Sequence, residues 1–165
     1  MSLQVEHINK WFGPFQAIID LSMKVEEGAL FGFLGPNGAG KTTTMRMILD
    51  LFRPDSGQIS WKGTPVREVA RRSFGYSPEE RGLYPRMEVA EQLLFLARLS
   101  GLSKQDALSA LDEWLERFQI SGNRHKKIEE LSKGNQQKVQ FLAAILHDPT
   151  ILIMDVPFSG LDPVN

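Results

Sequence analysis

Residues Gly35 to Thr43 read Gly-Pro-Asn-Gly-Ala-Gly-Lys-Thr-Thr, which satisfies the pattern G-x-x-x-x-G-K-[ST]. That spacing serves one chemistry, the holding of phosphates. Gly35, Gly38 and Gly40 allow consecutive backbone N–H groups to turn inward around an anion, because side chains there would block so close an approach. Lys41 then reaches the β- and γ-phosphates, Thr42 places its hydroxyl on Mg²⁺, and Pro36, Asn37, Ala39 and Thr43 complete the wall of the loop. A helix beginning at Thr43 and running to about Leu51 aims its positive end at the same anion. A second candidate is Asp155, which ends the apolar run Ile151, Leu152, Ile153, Met154. A carboxylate there is costly unless it meets a cation or donors, and the Mg²⁺ of the phosphate loop is the natural partner. The alternative for Asp155 is a structural aspartate capping a turn before Pro157.

These residues need elements to position them. The apolar run Leu30 to Leu34 predicts a strand leading into the loop, and Met45, Ile48, Leu49 and Phe52 predict an amphipathic segment leading out. Short alternations between Leu3 and Val25, such as Leu21, Met23 and Val25, predict half-buried strands, and Gly57 to Trp61 another, together an antiparallel sheet. The turn-rich Arg53 to Gly57 separates the loop's helix from that strand. Phe74 to Ser77 reads as a short strand and Pro78 to Met87 as a surface loop. Two amphipathic helices follow, Glu88 to Leu99 and Ser103 to Phe118. The second is capped by Ser103 with Asp106 and turns Ala107, Leu108, Leu111, Trp114, Leu115 and Phe118 inward. A third helix begins near Ser132, faces Val139, Leu142, Ala143 and Leu146 inward, and stops at Pro149. Ile151 to Met154 is a continuous apolar strand of the kind buried on both faces of a parallel sheet.

Composition narrows the classes. The 165 residues fit one domain with a sizeable core. A net charge of -1, from 19 basic and 20 acidic residues, argues against a dedicated nucleic-acid surface. The chain has no cysteine, which removes disulfides and thiolate metal sites, and His7, His125 and His147 lack ligand-like spacing. The N-terminus lacks the pattern of a signal peptide, and no apolar run approaches the roughly 20 residues that cross a bilayer. The reading is of a soluble chain whose membrane role comes through a partner. Arg124, His125, Lys126 and Lys127 read as a solvated face.

Leu131-Ser132-Lys133-Gly134-Asn135 resembles the LSGGQ signature of ATP-binding cassette (ABC) ATPases, and Ser159-Gly160-Leu161-Asp162 resembles their D-loop. The order of phosphate loop, helical insert, signature, Walker B aspartate and D-loop is similar to the family throughout the chain. The wording Pro78 to Pro85 and Pro157 to Pro163 most resembles ATPase subunits of bacterial ABC-2-type exporters. The resemblance implies an α/β fold: a P-loop NTPase core with a parallel sheet, a flanking antiparallel β-subdomain and a helical insert subdomain. It implies one nucleotide-binding domain over 1–165, incomplete at its C-terminus. Residues 1–76 and 149–165 would form the ATP-binding core with its β-subdomain, and 77–148 the Q-loop, helical subdomain and signature helix. It assigns ATP and Mg²⁺ as cofactors, Phe12 to adenine stacking with Trp11 as alternative stacker, and Glu79 to the Q-loop position facing metal and permease. Edge packing of the sheet is the competing reading for both aromatics. Ser132 and Gly134 would contact the γ-phosphate held by a second cassette in a head-to-tail dimer. The segment through Tyr84 and Met87 would receive a transmembrane permease subunit, placing the protein at the cytoplasmic face of the membrane.

The sequence also departs from the family. Val156 occupies the position of the catalytic glutamate, and valine can neither accept a proton nor orient water; general-base assistance is typically worth about 10²–10⁴ in rate. Asn165 falls before the family's switch-loop histidine and before a strand that the resemblance places between the phosphate-loop and Walker B strands. The expectation is therefore of a fragment, or of a non-hydrolysing nucleotide-binding module, beside the main reading of a transporter ATPase. Glu79, Lys133 and Asn135 are smaller departures. Ser77, where an apolar residue is usual, is expected to weaken local packing.

Overall fold

The computed structural model describes residues 1–79 and 82–155. They belong to two units, Met1–Ala70 and Arg71–Asn165. Val156 and the segment Ser159 to Asp162 lie outside the described residues, as do Glu80 and Arg81.

In the first unit the expected antiparallel sheet forms. β1 (Ser2–Phe12) and β2 (Phe15–Glu26) make a hairpin across Gly13 and Pro14. β3 (Ser56–Trp61) pairs with the other side of β1, and the short β4 (Thr64–Pro65) pairs with β3, giving the order β2-β1-β3-β4. Leu3 sits opposite Trp61 and Val5 opposite Ile59, and all four are buried on one face, as the two-residue side-chain period requires. Ile8 is also buried, although it stands an odd number of residues from Val5. A bulge between Val5 and Ile8 supplies the extra residue, with His7 at φ +50° in the left-handed region. Its imidazole Nδ1 lies 2.7 Å from Asp20 Oδ1 across the hairpin, and Asp20 is itself left-handed at φ +43°.

The helix after the phosphate loop, α1, spans Lys41–Ile48, earlier at both ends than its apolar pattern suggests. Thr44, Met47 and Ile48 form its buried side, with Leu49 just past its end. Phe52 was expected on the amphipathic segment with Met45, Ile48 and Leu49. It instead stands 38% exposed beyond the helix, its ring edge-on to Phe12 at 5.9 Å and 81°.

The predicted strand Leu30 to Leu34 does not form. This stretch has no regular structure, with Leu30 at 98% and Leu34 at 91% exposure. A strand exists through its ladder, and among the described residues nothing pairs with this segment.

In the second unit, β5 (Phe74–Ser77) and β6 (Ile151–Met154) pair in parallel, Phe74 opposite Ile151 and Ser77 opposite Met154. β6 was expected to be buried on both faces, but Leu152 is 38% exposed and the others half-buried. With a single parallel neighbour among the described residues, the strand is covered only in part. Gly75 has a clear reason: a Cβ there would press on the Ala144 carbonyl and lie 2.8 Å from Pro149 Cγ.

Three helices build this unit's core. α2 (Val89–Leu99), α3 (Lys104–Arg117) and α4 (Lys133–Ile145) bury Val89, Leu93, Leu111, Leu115, Val139 and Leu142, each at 0% or 1% exposure. The predicted cap of α3 holds: Ser103 Oγ accepts from the Asp106 N–H at 3.1 Å and donates to its carboxylate at 2.6 Å. α4 begins the same way, Ser132 Oγ accepting from the Asn135 N–H at 3.3 Å.

Candidate nucleotide-binding site

The phosphate loop is shaped by two left-handed glycines, Gly38 and Gly40, both at φ +81°. Gly38 faces open space, so its requirement is conformational alone. Gly40 is needed twice over. A Cβ on it would collide with Ile18 Cδ1 and lie 2.8 Å from the Ala17 carbonyl oxygen, so the loop rests on β2 by backbone contact. Gly40 then caps α1, its carbonyl accepting from the Thr44 N–H at 2.8 Å and from Thr44 Oγ1 at 3.0 Å. Lys41 Nζ donates back to the carbonyls of Gly35 (2.8 Å) and Pro36 (2.7 Å), closing the loop on itself. Thr42 and Thr43 are half-buried in the first turn of α1.

The same unit carries the aromatic candidates. Trp11 is 40% and Phe12 44% exposed, and Lys10 Nζ lies 5.7 Å from the Phe12 ring centre. Phe12 meets Phe52 only edge-on, so packing within the sheet does not use it up. Asp55 braces this end of β1: it accepts the Trp11 N–H at 2.6 Å and Lys10 Nζ at 3.0 Å. The Trp11 amide first, and then the Lys10 ammonium, hold the Asp55 carboxyl below its ordinary range.

In the second unit the parallel pairing puts Asp155 and Glu79 beyond the same strand ends. The Asp155 N–H donates to the Ser77 carbonyl at 2.9 Å, continuing the β5–β6 ladder past Met154. Asp155 is 3% exposed, and among the described residues its Oδ2 has no hydrogen-bond partner. A buried carboxylate oxygen without a partner is costly, and hard oxygen donors of this kind suit Mg²⁺. Glu79 is exposed two residues beyond Ser77. The sequence expectation that Ser77 weakens local packing has an answer here, since its Oγ lies 3.5 Å from Gln140 Nε2.

The signature segment follows the buried Leu131, whose carbonyl accepts from Gln136 Nε2 at 3.2 Å. Ser132, Lys133 and Gly134 are all exposed at the start of α4, and a Cβ on Gly134 would meet nothing within 4 Å. His147 Nε2 lies 3.0 Å from the Phe74 carbonyl oxygen, a link that ties α4's end to β5.

A model of the ABC transporter family matches residues 18–159, most of the chain. The chain belongs to the ABC transporter ATPase family. It is 56% identical over 163 residues to the uncharacterized ABC transporter ATP-binding protein YhaQ of Bacillus subtilis, covering 99% of this chain and 55% of that protein. It is 38% identical over 164 residues to the Nod factor export ATP-binding protein I of Burkholderia lata, covering 98% of this chain and 54% of that protein. Among solved structures, an ATP-binding subunit of an ABC transporter superposes with a TM-score of 0.87 at 32% identity, covering 99% of this chain and 70% of that one. CbiO1 from Clostridium perfringens, part of the ABC transporter complex cbiONQ, gives 0.85 at 26% identity, covering 98% and 68%. These establish the α/β fold of an ABC ATPase nucleotide-binding domain. The chain spans about half the length of the curated relatives it matches, 55% and 54% in the two cases above.

Proposed function

We propose that this chain is the nucleotide-binding part of an ABC exporter's ATPase subunit, taking Mg-ATP at the loop Gly35 to Thr43. The observation that carries the reading is Gly40, whose close approach to β2 and left-handed backbone build a phosphate loop around Lys41. A γ-phosphate competes for Lys41 with the two carbonyls it now meets, and ionic partners make the stronger hydrogen bonds. Phe12 stacks on the adenine ring. Thr42 of the first unit, and Asp155 and Glu79 of the second, are the residues that would offer hard oxygens to Mg²⁺. When bound, Mg²⁺ screens the triphosphate's charge, and the unpartnered oxygen of Asp155 supports its presence.

Ser132 and Gly134, exposed at the start of α4, complete the nucleotide site of a second cassette in a head-to-tail dimer. The loop through Tyr84, which is 54% exposed, meets a transmembrane permease at the cytoplasmic face of the membrane. Likeness to a protein named for Nod factor export supports export as the direction. Val156 stands where the family's water-activating glutamate would be, and this favours the second reading, binding without turnover. Calorimetry of Mg-ATP binding, with Lys41→Ala as control, tests the proposal. Saturable binding abolished by the substitution is expected; no binding, or binding indifferent to Lys41, overturns it.

A further inference from the structure

The loop after β5 is gripped at both ends by glutamines from two different helices. Gln140 on α4 donates from Nε2 to the Pro78 carbonyl at 2.6 Å. Gln92 on α2 accepts the Tyr84 N–H on Oε1 at 2.9 Å. Neither bond is incidental to its surroundings. The Ser77 carbonyl is the last that the β5–β6 ladder reaches, taken by the Asp155 N–H. Pro78 is the next residue, and Gln140 satisfies the carbonyl that the sheet leaves behind. Gln92 is fully buried in the helical core, and among the described residues its Nε2 has no partner. An apolar residue of the same size would avoid that unmade bond, so the bond its Oε1 takes from Tyr84 is what sets Gln92 apart from its core neighbours.

We propose that Gln140 and Gln92 are positioning residues, Gln140 holding Pro78 beside Glu79 and Gln92 holding Tyr84, each to a helix of the same unit. Gln140 fixes the end carrying Glu79, and Gln92 fixes the end carrying Tyr84. Ser132 and Gln140 lie on one helix, eight residues or about 12 Å apart along its axis. The inference rests on the reading of Glu79 and Asp155 as groups facing bound Mg²⁺.

The test uses the protein with Gln140→Met, Gln140→Lys and Gln92→Met. Amide hydrogen exchange, thermal midpoint and the Mg²⁺ dependence of ATP binding are measured for each. Gln92→Met is expected to lose protection at the Tyr84 amide while keeping a midpoint within a few degrees of the parent. Gln140→Met is expected to raise the Mg²⁺ concentration for half-maximal ATP binding by about tenfold, the low end of effects from groups that orient metal ligands. Gln140→Lys, which keeps a donor of similar reach, is expected to restore it. Unchanged Mg²⁺ dependence in Gln140→Met, equal damage from Met and Lys, or unchanged Tyr84 exchange in Gln92→Met overturns the proposal. Should the parent protein bind no Mg-ATP, the nucleotide reading fails instead, and the exchange at Tyr84 still decides whether Gln92 holds Tyr84.

Discussion

Gly38 and Gly40 share one backbone conformation and differ in their surroundings, so together they separate two costs. Both sit at φ +81°, where an L-residue is strained by about 1–2 kcal/mol. At Gly38 an added methyl meets nothing within 4 Å, so Gly38→Ala carries that strain alone. At Gly40 the methyl collides with Ile18, which is 5% exposed and closely packed, and comes within 2.8 Å of the Ala17 carbonyl. Overpacking of that kind adds about 1–3 kcal/mol, for a total of about 2–5 kcal/mol. At about 2–4 °C per kcal/mol for a chain of this size, Gly38→Ala should lower the thermal midpoint by about 2–8 °C and Gly40→Ala by about 4–20 °C. Scanning calorimetry of the two variants and the parent, without nucleotide, makes the comparison. Equal midpoints for the two variants would refute the claim that the loop rests on β2 through the Gly40 contact.

Asp155→Asn should stabilise the metal-free protein by about 1 kcal/mol or more, because it replaces a buried, unpartnered carboxylate oxygen with a neutral group. The same variant should bind ATP with little dependence on Mg²⁺; denaturant melts with and without Mg²⁺ check both. Leu111→Ala, at the fully buried centre of the helical core, should cost about 2–5 kcal/mol by chemical denaturation. Asp55 has a carboxyl pKa lowered in the fold, so its stabilising contribution is complete above its unfolded value and is lost as pH falls through the folded value. Parent and Asp55→Asn should therefore differ in stability at pH 6, and the difference should shrink as the pH falls below about 4, the ordinary carboxylate range; a difference that grows as the pH falls would contradict this.

Residues whose chemistry depends on local spacing were legible in the sequence. The Ser103 cap and the buried positions Ala107, Leu111 and Leu115 of α3 and Val139 and Leu142 of α4 follow from patterns a few residues long, and each appears where expected. What was not legible depends on partners distant in sequence. Leu30 to Leu34 is apolar enough for a strand, but strand formation is decided by a neighbour, and among the described residues it has none. The bulge at His7 left only a trace, the odd spacing of Val5 and Ile8, because the sequence does not say which residue turns left-handed. Gln92 and Gln140 carried no signal at all. A glutamine on an amphipathic helix reads as surface, and only packing reveals that one is fully buried and the other reaches a carbonyl 62 residues away.

The phosphate loop keeps its form although the segment before it has no regular structure, and the reason lies in where its anchors are. Leu30 and Leu34 are exposed, so little holds the loop from the N-terminal side. On the other side, Gly40 touches the Ala17 backbone and Ile18, Thr44 binds the Gly40 carbonyl twice, and Met47 and Ile48 bury α1. The glycine-lysine end of the loop is thus built from elements within the first 50 residues. Lys41 ties the free end back through the carbonyls of Gly35 and Pro36. Those oxygens carry partial charges and a triphosphate would carry full ones, so on the proposed reading an arriving anion would take over a lysine now held by two carbonyls of the loop. On that reading binding would exchange two neutral acceptors for an ionic one.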